Sequence, residues 1–133
     1  MNIQWIIASL IITVIPSSWI IQETGDYCWE IGGEYISWTN RIYICDTKDI
    51  EFYKWHEIWH YIWERLPEKT KQKYIILHKS SNQYYRAYGK DVEEDFCDNL
   101  ALLMTKENST PQVHKRIRFI KNIIWTYLHQ HLE

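Results

Sequence analysis

The chain has 133 residues, is 46% apolar and 24% charged, and carries a formal net charge of −2 at pH 7. That is one domain's worth of sequence with material for a modest core, and it excludes collagen-like, low-complexity and highly charged disordered classes. A charge this close to zero argues against a dedicated nucleic-acid binder.

The chain opens on an apolar run, Ile3–Ile15, followed by Pro16-Ser17-Ser18. The run is short for a membrane span and suits the apolar core of a secretory signal. No Lys or Arg precedes it, however, and no small-x-small cleavage site follows. One reading therefore separates residues 1–24 as an export signal or membrane anchor from a domain at residues 25–133, outside the cytoplasm. The other builds the run into the domain as a buried helix or strand and permits a cytoplasmic protein.

Residues 27–45 read as a small antiparallel meander of Tyr27–Ile31, Glu34–Trp38 and Arg41–Cys45, with turns at Gly32-Gly33 and Thr39-Asn40. Cys28 and Cys45 flank this meander, and a disulfide between them is geometrically plausible beside the alternative of three reduced thiols, Cys97 included. From Thr47 the period changes to helical. Asp46 or Thr47 can cap a helix that runs to about Leu66, where Pro67 stops it. A second helix is expected over Glu68–His78, then a loop over Lys79–Lys90. A third, about Val92–Lys106, buries Phe96, Leu100, Leu103 and Met104. A last helix starts near Pro111, with Val113, Ile117, Ile120, Ile124 and Leu128 on one stripe. The fold class is thus α+β, a small antiparallel sheet followed by helices.

The first long helix contains His56-Glu57-Ile58-Trp59-His60, an HExxH sequence. Residues four apart lie one turn apart on one helical face, so both imidazoles can grip one metal ion, and Glu57 projects beside them as a proton acceptor. Zinc lowers the pKa of its water towards about 7, and a carboxylate must take that proton and pass it to the leaving amine. A solvated helix face bearing two unrelated histidines is the bland alternative. The third helix changes the balance: Glu94 and Asp98 also stand four apart on one face. A two-histidine zinc site needs one more anionic ligand, the role that suits Glu94. It also benefits from an outer carboxylate that orients an imidazole, the role that suits Asp98.

With these residues in place, the chain resembles the gluzincin zinc peptidases, which carry HExxH on one helix and ExxxD or ExxxE on a later one. Tyr88-Gly89-Lys90, then Glu94-x-Phe96-Cys97-Asp98 and Leu100-x-Leu102-x-Met104, look most like the anthrax-lethal-factor-type peptidase domain. In size the chain is similar to the minigluzincins. The resemblance covers about residues 41–106. It implies a zincin-like fold, one zinc ion on His56, His60 and Glu94, Glu57 as general base and acid, Asp98 as the orienting carboxylate, and Tyr88 as a hydroxyl donor to the developing oxyanion. The gap from Tyr88 to Glu94 is one residue short of the family pattern, which leaves Tyr84 and Tyr85 as alternatives. Glu93 rivals Glu94 as ligand, but it places Cys97, not an acid, four residues on. The implied substrate is an extended peptide or protein paired to an edge strand, Glu34–Trp38 or Arg41–Cys45.

Tryptophan is over-represented, with 8 Trp against 4 Gly, and Trp59 stands where these peptidases commonly have a small residue. Trp38 lies at another glycine-like place. One expectation is that some tryptophans are UGA codons read as glycine in the source, which UGG codons at positions 59 and 38 would exclude. The other is an aromatic-rich core. His78, His114, His129 and His131 lack partners at ligand spacing and read as surface histidines, and His114-Lys115-Arg116-x-Arg118 reads as a solvated basic face. The functional expectation is a zinc-dependent metallopeptidase without nucleic-acid partners. Its rivals are an inactive zinc-stabilised binding module, with Trp59 or the short loop before Glu94 obstructing the cleft, and a membrane-associated interaction protein in which HExxH is accidental.

Overall fold

The computed structural model describes residues 9–106 and 109–132, without the side chains of residues 123 and 127–132. Expectations for residues 1–8 and for the side chains of Leu128, His129 and His131 lie outside these residues. The protein is α+β: the described residues form three strands in one sheet and five helices, arranged so that the sheet and the later helices enclose a common core.

Strand β1 (Ile11–Pro16) is followed by a short helical turn α1 (Cys28–Ile31) and strands β2 (Gly33–Ile36) and β3 (Arg41–Asp46). The strand order is β1-β3-β2. β2 and β3 form the expected antiparallel hairpin, with Tyr35 opposite Ile42, but β1 joins parallel to β3, with Val14 opposite Ile44. The sheet is therefore mixed, not antiparallel, and part of the apolar N-terminal run is a strand of it. β3 is central, which leaves β2 as the edge next to the helices.

Tyr27–Ile31 is not a strand. Its aromatic and β-branched composition is overruled by two local constraints: a Cys28–Cys45 disulfide, with Cα atoms 5.6 Å apart, and Gly32, whose left-handed φ of 75° closes the turn as its N–H donates to Cys28 O. With a sequence separation of 17 residues, that disulfide contributes about 3 kcal/mol.

Helix α2 (Ile50–Arg65) starts after Thr47, whose hydroxyl accepts from Asp49 N, and ends where Leu66 turns extended before Pro67. It packs chiefly on α4 (Val92–Thr105), and its Ile58 and Ile62 meet Ile42 and Ile44 of β3, Phe96 and Leu100 of α4, and Ile120 and Ile124 of α5 (Pro111–Leu132). Between them run α3 (Glu68–Lys79) and a single 3-10 turn, Ala87–Lys90, in the segment expected as loop.

Two polar side chains read from sequence as solvated are buried. Arg116, 1% exposed, donates from Nη2 to Asp95 Oδ1 (2.8 Å) and from Nε to Oδ2 (2.9 Å). Tyr74 also donates to Asp95, as does Asn99 Nδ2 at 3.1 Å, so α3, α4 and α5 are tied through one carboxylate. His78 is buried too, its Nε2 bonded to Gly89 O at 2.7 Å, which pins the 3-10 turn to α3.

Candidate metal centre

α2 and α4 cross so that the HExxH turn faces the first turn of α4. Asp91 caps α4, its carboxylate accepting from Glu94 N at 3.1 Å, and three acids, Glu93, Glu94 and Asp95, occupy the first turn, where the helix dipole favours negative charge. The three acids meet different partners. Asp95 points to Arg116, while Glu93 and Glu94 point to α2.

At the crossing, His56 Nε2 and His60 Nε2 are 3.1 Å apart. Glu94 spans them, with Oε2 3.0 Å from His56 Nε2 and Oε1 3.2 Å from His60 Nε2. Each ring's other nitrogen also faces a carboxylate. His60 Nδ1 bonds Glu93 Oε2 at 2.5 Å, and His56 Nδ1 lies 2.8 Å from Asp98 Oδ1, at ion-pair distance but outside hydrogen-bond angle. With a carboxylate at each Nδ1, that nitrogen keeps the proton in the neutral ring and Nε2 presents its lone pair. Two lone pairs and the Glu94 carboxylate thus converge within 3.2 Å.

Such a convergence of lone pairs is repulsive unless a proton or a metal ion sits within it. Burial works against charge on both rings. Even so, Asp98 and Glu94 around His56, and Cys97, Glu93 and Glu94 around His60, raise both imidazoles above their ordinary value. Burial pushes Glu94 the other way, but its bonds to the two rings hold it well below the usual carboxylate range. In shape and donor type, two imidazole nitrogens and one carboxylate fit a divalent ion with a coordination position left over.

Glu57 stands beside the pair, its Oε1 4.0 Å from His56 Nε2, and the ligand atoms of His56, Glu57 and His60 lie within 4.8 Å of one another. Burial raises the Glu57 carboxyl, partly offset by the two imidazoles. Gly33 of β2 lies against it: a Cβ there would meet Glu57 Cγ and Tyr43 O, each at 3.2 Å, so a side chain at this position would crowd the general-base candidate.

A cleft of about 540 Å³ opens over the site, walled by Glu34 and Tyr35 of β2, by His56, Glu57 and His60, and by Arg86 and Tyr88. Tyr88 is 69% exposed and lines it. The alternatives do not: Tyr84 donates to Ser81 O and packs on His78, and Tyr85 rests on Phe52. Trp59 turns away from the cleft into the core, 2% exposed, with its ring 6.2 Å from Phe96 and its indole N–H unpaired. It does not obstruct the site. Trp38 sits at the β2–β3 turn, 71% exposed, and among the described residues no tryptophan has the positive φ that would require glycine.

The structure therefore brings His56, Glu57, His60, Glu94 and Asp98 together and sets Tyr88 at the rim. Glu93, set aside in the sequence as a rival ligand, instead orients His60. Arg86, which sequence spacing gave no reason to single out, lies against Asp98. No family model, no curated protein and no solved structure matches the chain.

Proposed function

We propose that the protein is a zinc-dependent metallopeptidase with a zincin-like fold. The observation that supports this reading is the convergence of His56 Nε2, His60 Nε2 and Glu94, two imidazole nitrogens and a carboxylate within 3.2 Å of one another on two separate helices. His56, His60 and Glu94 would hold the zinc. When bound, zinc acidifies water and polarises a peptide carbonyl.

The remaining work falls to the chain's own groups. Glu57 takes a proton from the attacking water and returns it to the leaving amine, a task helped by a carboxyl whose pKa burial has raised. Tyr88 donates its hydroxyl to the oxygen on which negative charge develops. Asp98 and Glu93 hold the two rings in the tautomer that leaves Nε2 free. An extended peptide adds to the free edge of β2, whose residues wall the cleft. The Cys28–Cys45 disulfide supports an oxidising compartment and hence an exported or membrane-anchored protein. Among the described residues no helix is long and apolar enough to cross a membrane.

Metal content and cleavage of an unstructured peptide, measured for wild type, Glu57→Gln and Glu94→Ala, test the proposal. Glu57→Gln is expected to keep zinc and lose about 10²–10⁴-fold in turnover. Glu94→Ala is expected to lose both zinc and turnover. Zinc without any cleavage in the wild type would leave a binding module, and no zinc at all would make the HExxH accidental.

A further inference from the structure

We propose that Arg86 is a positioning residue of this centre: its guanidinium fixes the Asp98 carboxylate and, through it, the orientation of the His56 ring. The inference rests on the metallopeptidase reading and adds to it a residue from a third segment of the chain, outside both ligand helices.

The need for such a residue follows from Asp98 itself. Its side chain is 1% exposed and faces a His56 side chain that is 4% exposed. The terminal torsion of an aspartate is broad, so a buried carboxylate with one partner is free to swivel. It is also costly, because a single neutral imidazole does not compensate a buried negative charge. Arg86 answers both problems. Its Nε donates to Asp98 Oδ2 at 3.1 Å and its Nη2 to Oδ1 at 2.6 Å, a two-point grip that fixes the carboxylate plane. Oδ1 is also the oxygen that lies 2.8 Å from His56 Nδ1. One oxygen therefore carries the link from guanidinium to imidazole.

Arg86 is seated as firmly as it seats Asp98. Its guanidinium carbon lies 5.2 Å from the Phe52 ring, 5.7 Å from Tyr53 and 5.6 Å from Tyr88. Phe52 is one helical turn before His56 on α2, so the arginine rests on the helix that carries the ligand. It arrives there on extended backbone, φ −131° and ψ 163°, just before the 3-10 turn. Among the described residues it is the one Lys or Arg that lines the cleft. Lysine does not replace it, since a point charge cannot hold both carboxylate oxygens in one plane.

The test measures zinc affinity by chelator competition, and kcat and KM on an unstructured peptide. The proteins are wild type, Arg86→Met, Arg86→Lys, Asp98→Asn and the Arg86→Met/Asp98→Asn double variant. Arg86→Met is expected to weaken zinc binding by about 10-fold or more, as loss of an outer partner does, and to lower kcat with little change in KM. Arg86→Lys is expected to fall between Arg86→Met and wild type, and it decides the matter if the methionine variant does not fold. The double variant is expected to match Asp98→Asn alone, because a residue that acts through another has nothing further to lose. Wild-type zinc affinity in both Arg86 variants would overturn the proposal. So would effects that add in full in the double variant, or a change confined to KM. A wild type that binds zinc without cleaving removes the peptidase reading and leaves the affinities to judge Arg86, while a wild type that binds no zinc overturns both.

Discussion

Two carboxylate networks leave neighbouring positions of α4, and they differ in completeness. Asp95, fully buried, accepts from Arg116 twice, from Tyr74 and from Asn99, and every bond joins a negative group to a donor. Glu94, one residue earlier and about one third exposed at the cleft, faces two imidazole nitrogens whose rings meet other carboxylates on their far sides. The first network is closed and ties three helices together. The second converges on a point between two rings and a carboxylate. A buried polar cluster that satisfies itself is structural, whereas one whose lone pairs converge on a point is arranged around something else.

Three measurements break or sharpen that contrast. The largest effect is expected for Arg116→Met, which leaves Asp95 buried without its counter-charge and should cost about 3–5 kcal/mol of stability. Denaturant unfolding reads it, and zinc affinity in the protein that still folds should not change. Next, stripping the metal should lower the melting temperature, since an ion at 100 times its Kd adds about 2.7 kcal/mol to the folded state. The Glu94→Ala protein should melt at one temperature with or without zinc.

The smallest effect concerns the rim. Burial, and then a bond with Asp26, raise the Glu34 carboxyl from 4.5 to about 7. Between those values the folded chain binds more protons than the unfolded one, so Glu34 lowers stability as pH rises through the interval. Glu34→Gln should therefore stabilise the protein at pH 8, by about 1 kcal/mol once solvent screening is counted, and should do nothing at pH 4. Melts at the two pH values check it.

Much of this site is legible in sequence because helical spacing is local information. His56 and His60, and Glu94 and Asp98, each occupy one face of a helix by their separation alone, and Pro67 and Pro111 mark boundaries that the structure keeps. What is not legible comes from contacts between distant segments. The run Ile11–Ile15 carries no alternation and resembles a signal core as much as a strand, and only its pairing with the distant β3 reveals the strand. Arg116 stands in a basic cluster and reads as surface until Asp95 is placed against it. Arg86 reaches the centre from a loop, and no periodicity announces it. Along its own helix Glu93 has Cys97 as its neighbour, while its partner His60 belongs to another. The unpaired, buried indole N–H of Trp59 favours a small residue there, as the recoding expectation holds, but the edge-on packing of its ring against Phe96 suits an aromatic core equally.

The central claim is that His56, His60 and Glu94 share one divalent ion, and calorimetric titration of the metal-free protein with zinc tests it most directly. The account predicts one ion per chain, with protons released at neutral pH as the charged imidazoles give way to the metal, and loss of that binding in His56→Ala and in His60→Ala. Zinc binding that survives both substitutions, or no binding by the intact protein, would contradict it.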